Sequence, residues 1–214
     1  MAFRPEDITV RMGLYAEYSS IILKRLTKSM ISGFESIFTI DEATRNAYFR
    51  DKGIAIAKRG QYDRAVPLLE PLYKSVPDDA EVMLYLGLGY MKTGRTAEGI
   101  ALLEKVHGRN KSDAKIASVL AFSYIQLEQY DKALPLLEEA VKISPDSFNL
   151  KFRLGVTYDN LGDFDKAIQA FKEALELRPD EAKVHRAIGF AYEQKDDHKS
   201  AMNHFKRANE LEGS

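Results

Sequence analysis

Four histidines, His107, His185, His198 and His204, are the side chains best suited to metal or acid–base chemistry, and the chain contains no cysteine. A helix that chelates a metal with two imidazoles places them four residues apart, on one face. His198 and His204 are six apart, on different helical faces, so they form no such pair. Thiolate metal sites and disulfides are excluded with cysteine. The sequence has no glycine-rich phosphate loop and no nucleophile elbow, and acidic pairs such as Glu138-Glu139 read as a solvated helix face. Catalytic residues, cofactors and metal ions are therefore not expected. The chemistry that remains is non-covalent binding, and its geometry depends on the elements that carry the side chains.

Those elements repeat. Ala65, Gly99, Ala133, Ala167 and Ala201 stand 34 residues apart, as do Gly53, Gly87, Ala121, Gly155 and Gly189. In this register the repeats run 46–79, 80–113, 114–147, 148–181 and 182–214 without an insertion. Each column has a physical reason. The small residues at positions 8 and 20 let two helices cross closely, where larger side chains would overpack. Position 24 supplies the bulky partner, Leu69, Leu103, Leu137, Phe171 and Phe205, and position 11 holds Ile56, Tyr90, Tyr124, Tyr158 and Tyr192. Gly60, Gly94 and Gly162 fall at position 15, where a first helix ends in a left-handed residue. Asp63, Asp131 and Asp165 complement the dipole of the second helix. Pro77, Pro145 and Pro179 interrupt the chain between repeats.

The period and these columns resemble the tetratricopeptide repeat (TPR) family over about 170 residues. The resemblance implies an all-α fold, a TPR α-solenoid in which antiparallel helix pairs stack into a right-handed superhelix. Its first helices line a concave groove, mainly through positions 5, 9 and 12. Here those positions are Arg50, Ile54 and Ala57; Leu84, Leu88 and Met91; Ser118, Phe122 and Ile125; Phe152, Val156 and Asp159; Arg186, Phe190 and Glu193. The middle of this set is apolar and arginine stands at both ends. A continuous apolar surface marks a binding site, although some of these side chains could instead pack between helices. Family members that clamp a terminal carboxylate pair a basic residue at position 5 with asparagine at position 9. Arg50 fits that pattern and Ile54 does not, so an amphipathic helix or hydrophobic peptide is the expected occupant.

Two regions depart from the pattern. Repeat two has Gly99 in the alanine column and leaves through the polar stretch His107–Asp113. This is either ordinary degeneracy or a hinge near 107–115 dividing a pair of repeats (46–113) from the remaining three (114–214). Residues 1–45 lack the consensus, yet Tyr15, Tyr18, Ile22 and Leu26 share one helical face, and Phe34, Ile37 and Phe38 continue the apolar pattern. This segment is a degenerate repeat capping repeat one, or a helical arm that docks on another subunit. The last repeat carries Asn203, His204 and Asn209 where earlier ones are more apolar, as a solvated end of an array requires.

Hydrophobic residues make up 45% and charged residues 29%, with a net charge of -1. This balance lacks the basic stripe expected of a nucleic-acid partner. No secretory leader is visible in MAFRPEDITV, and no apolar run approaches the roughly 20 residues of a membrane span. A cytoplasmic protein with at most peripheral membrane contact is expected. The stretches GFESIF (33–38), YFRDKGIAIAKRGQY (48–62), KFRLGVTYDNLGDFDKAI (151–168) and LRPDEAKVHRAIGFAYEQ (177–194) further resemble the magnetosome-associated branch of the family. That likeness implies a homo-oligomeric scaffold on the magnetosome membrane that recruits other proteins, with an N-terminal segment acting in self-association and two sub-domains joined by a hinge. The alternatives are a monomeric adaptor or chaperone-like peptide binder, and a regulatory module of a missing enzyme.

Overall fold

A computed structural model describes residue 19 and residues 41–213. The candidate arm residues Tyr15, Tyr18, Ile22, Leu26, Phe34, Ile37 and Phe38 lie outside the described residues. The chain forms two compact units, Met1–Lys52 and Gly53–Ser214. Helix α1 (Glu42–Lys58) begins in the first unit and ends in the second. Its start is capped by Asp41, which accepts from Thr44 N at 2.8 Å and from Thr44 Oγ1 at 2.7 Å, satisfying a backbone donor that the helix leaves free.

The second unit continues with α2 (Tyr62–Ser75), α3 (Ala80–Lys92), α4 (Thr96–Arg109), α5 (Ala114–Gln126), α6 (Tyr130–Ile143), α7 (Phe148–Asn160), α8 (Phe164–Leu177), α9 (Ala182–Glu193) and α10 (His198–Glu212). From α2 to α10 successive helices pack on one another, most extensively within the pairs α3–α4, α5–α6, α7–α8 and α9–α10. No strand occurs among the described residues. This is the expected all-α TPR solenoid, a quasi-linear stack in which each repeat is stabilised by its neighbours.

The crossing within each pair is as tight as the small-residue column requires. A Cβ placed on Gly155 would lie 2.5 Å from the Phe171 ring, and one on Gly189 would lie 2.5 Å from Phe205. Buried side chains form two clusters that meet in α7, with Leu150 in the first and Phe148 and Tyr158 in the second. The polar exit of repeat two is short, because Gly108 lies inside α4 and the break is confined to residues 110–113. Leu102, Leu103 and Val106 before it and Ile116, Ala117 and Leu120 after it belong to one buried cluster. Any rotation near 107–115 must therefore slide packed side chains rather than bend a free linker.

Position 15 is left-handed in more repeats than its glycines mark. Gly60, Gly94 and Gly162 have φ of 76°, 88° and 80°, and Glu128 and Asp196 adopt φ of 57° and 58° at the same position. A side chain there crowds the following carbonyl and costs about 1 kcal/mol. Glu128→Gly should raise stability in a denaturant melt by roughly 0.5 kcal/mol, once the greater freedom of glycine in the unfolded chain is set against the relieved strain.

Candidate functional site

The first helices of successive repeats touch one another directly. Arg153 of α7 lies over the Phe122 ring of α5, 4.0 Å from its centroid, and Lys183 of α9 lies over the Phe152 ring of α7 at 5.4 Å. Lys92 at the end of α3 donates to Gln126 at the end of α5 at 3.5 Å. Residues 84–193 of these helices thus present one surface rather than separate ridges.

Along this surface Leu88, Met91, Phe122, Ile125, Phe152 and Val156 are half-buried. Leu88, Met91 and Ile125 pack against the first core cluster, and Phe152 and Val156 against the second. Phe152 stacks on Phe148 at 6.1 Å and leans on Phe171 at 5.7 Å. Phe190 is 56% exposed and meets only the edge of Phe205 among the aromatic contacts described, at 5.1 Å. Arg186 is held by Glu212 at 2.5 Å. Arg50, in the first unit, is half-buried and lies 3.5 Å from Asp51.

Three of the candidate wall residues need correction. Ile54, Ala57 and Leu84 are 4%, 1% and 3% exposed and belong to the core. Leu84 lies in α3, where Val82–Gly87 are all buried. A helix that is apolar all round is enclosed rather than amphipathic, so a fixed position number does not keep this side chain on the surface. Ile54 follows Gly53, whose missing side chain brings α1 onto Leu69 (a Cβ there would lie 2.5 Å from Leu69 Cδ2). The odd Gly99 of repeat two also has a packing cause. A Cβ there would lie 2.6 Å from Met91 Cγ and 2.7 Å from the Gly87 carbonyl, so Met91 takes the space that alanine takes elsewhere.

Two polar features of this surface are absent from the expected wall. Arg153 and Lys183 each follow the aromatic residue they cover by 31 residues, a spacing that the register could have revealed. Both give the apolar surface cationic edges. Burial draws the Arg153 guanidinium below its ordinary value. Asp159 has a buried Oδ1 without a hydrogen-bond partner, and burial raises its carboxyl above the usual range. Such an atom is a costly feature to maintain without a donor, and because Asp159 as a whole is only half-buried, a ligand ammonium or guanidinium can approach its carboxylate. Among the described residues no three His, Asp or Glu side chains gather as a metal site. The arrangement can hold a peptide with apolar and basic groups.

A ladder of hydrogen bonds holds the repeats in register. Tyr90 donates to Glu70 at 2.8 Å, Tyr124 to Glu104, and Tyr158 to Glu138 at 2.6 Å, always from position 11 to position 25 of the preceding repeat. In the last repeat the carboxylate is replaced, and Lys172 donates to Tyr192 at 3.2 Å. Burial and then the carboxylate push the Tyr90, Tyr124 and Tyr158 phenols up to about 12. Unfolded tyrosine ionises near 10, so the folded state binds more protons above that pH. This contribution is complete below pH 10 and is lost as pH rises towards about 12. Replacing all three with Phe should cost about 1 kcal/mol per site at pH 8 and flatten the alkaline loss of stability in urea melts above pH 10.

The tetratricopeptide repeat model matches residues 124–189 and 161–213, and the model for anaphase-promoting complex, cyclosome, subunit 3 matches residues 58–140. The chain is similar to the magnetosome protein MamA of Paramagnetospirillum magnetotacticum, 46% identical over 87 residues, which is 41% of this chain and 40% of that protein. The match thus spans about two fifths of the curated relative's length. Solved structures are similar over more of the chain. The structure described as MamA AMB-1 P212121 has a TM-score of 0.75 at 51% identity, covering 78% of this chain and 99% of that one. MamA MSR-1 C2 has a TM-score of 0.74 at 50% identity, covering 79% and 97%.

Proposed function

The chain belongs to the MamA family of tetratricopeptide-repeat proteins, and from that premise we propose that it is a self-assembling scaffold at the magnetosome membrane. In this reading the N-terminal segment of one copy docks on the first-helix surface of the next, and the assembled layer recruits other proteins. The TPR fold is one that binds proteins, and the observation that carries the finer reading is the half-buried surface of Leu88, Phe122, Ile125, Phe152 and Val156 beside Asp159, whose Oδ1 has no hydrogen-bond partner. Residues 22–28, Ile-Leu-Lys-Arg-Leu-Thr-Lys, carry the matching chemistry, with apolar groups for the rings and ammonium or guanidinium groups for the carboxylate.

Membrane association is peripheral in this account. Among the described residues no helix is long and apolar enough to cross a membrane. Light scattering on the full chain after size exclusion should give particles many times the 24.2 kDa of one copy. A mass of one copy at every concentration would support the monomeric adaptor instead.

A further inference from the structure

His185 and His204 come from positions 4 and 23 of the last repeat, on the two helices of the pair α9–α10. Their Nδ1 atoms lie 3.1 Å apart, and His185 Nε2 lies 3.2 Å from the Pro179 carbonyl oxygen. A carbonyl can only accept, so His185 Nε2 carries a hydrogen. When both rings are neutral, His185 Nδ1 is then the acceptor and His204 Nδ1–H the donor. One added proton can be shared, with His185 donating from both nitrogens to Pro179 and to His204. A second proton would set two N–H groups and two positive charges against each other at hydrogen-bond distance.

The surroundings offer the second charge no relief. From α8, Lys172 reaches Tyr192, which lies over the His204 ring at 5.8 Å. Burial, His185 and Lys172 all lower the proton affinity of His204. The carboxylates at the start of α9 are engaged elsewhere, Asp180 with Arg207 of α10 at 2.9 Å and Glu181 with Arg178 and Lys183 at 3.3 and 3.6 Å. From α7, Lys151 is held by Glu173 of α8 at 2.8 Å. The same two positions in repeat two are Met83 and Leu102, both buried, so the stack closes this contact elsewhere without a titratable group.

We propose that the His185–His204 pair is a pH-sensitive latch that fastens α10 to the end of the stack at neutral pH and releases it on mild acidification. Because α10 packs on no other helix as it does on α9, its release leaves the rest of the array folded. The sign follows from linkage. A histidine held below its ordinary 6.5 stabilises the fold above that pH, and its contribution is lost as pH falls below it.

The test is hydrogen exchange of the full chain at pH 7.5 and pH 5.0, read by mass spectrometry and corrected for intrinsic rates, beside thermal melts of the wild type and H185M/H204L. Acidification should reduce protection at least about threefold in peptides from 182–212 and leave 96–126 unchanged. The wild type should lose roughly 3–5 °C more than the double variant in the first melting step. Equal loss in the two proteins, or loss spread evenly along the wild-type chain, would overturn the latch. If the double variant fails to fold, unchanged wild-type protection at 182–212 overturns it by itself.

Discussion

Deleting residues 1–41 should convert large particles into a folded monomer. The remaining chain keeps every helix from α1 to α10 but loses the Asp41 cap of α1, so its helicity should stay close to that of the full chain and its stability should fall by only about 1 kcal/mol. Its mass should fall from that of an open-ended assembly to that of one copy. The size of this effect follows from the symmetry of the proposed contact. An arm seated on a neighbour's first-helix surface is heterologous, and such contacts propagate unless the rotation happens to close a ring. Removing one half of every contact therefore abolishes the whole assembly rather than weakening it. A truncated chain that still scatters as a large particle would place self-association on another surface.

Phe122→Glu should remove binding and spare the fold. The ring is half-buried and faces the Arg153 guanidinium at 4.0 Å. A carboxylate at this position has a cationic neighbour, so it escapes much of the penalty of an unpaired buried charge. An apolar ligand group directed at the same place would meet charge instead of a ring. Loss of a central interface anchor costs about 2 kcal/mol or more, at least about thirtyfold in affinity. Thermal melting and capture of the N-terminal segment, measured on one preparation, separate the two roles. A large drop in melting temperature would identify Phe122 as core, and unchanged capture would remove it from the binding surface.

The fold was legible because its constraints are local and repeated. Gly155 under Phe171 and Gly189 under Phe205 are the same contact made twice, and a period of 34 exposes such a column at once. The surface was less legible because exposure depends on what the neighbouring helices cover. Leu84 occupies a wall position by number, yet α3 is enclosed on most of its circumference. Phe190, equivalent in register to Ile54, is exposed near the end of the stack, where no further repeat follows among the described helices.

Pairwise chemistry between columns was the hardest to see. Tyr158 reads as one more large residue of its column, and its hydroxyl partner Glu138 reads as part of a solvated helix face. His204 counts among the polar residues of the last repeat, and nothing in its own column marks His185. Both pairs join different columns of the register, and a column-by-column reading treats each column alone.

The central claim is that the N-terminal segment is a ligand for the first-helix surface, and titration tests it most directly. A labelled synthetic peptide of residues 1–41 is added to the chain lacking those residues, and fluorescence anisotropy follows binding. The account predicts saturable one-to-one binding that weakens at least about thirtyfold with Phe122→Glu. It also predicts competition by unlabelled peptide. No saturable binding, or binding that Phe122→Glu leaves unchanged in a normally melting chain, would contradict it.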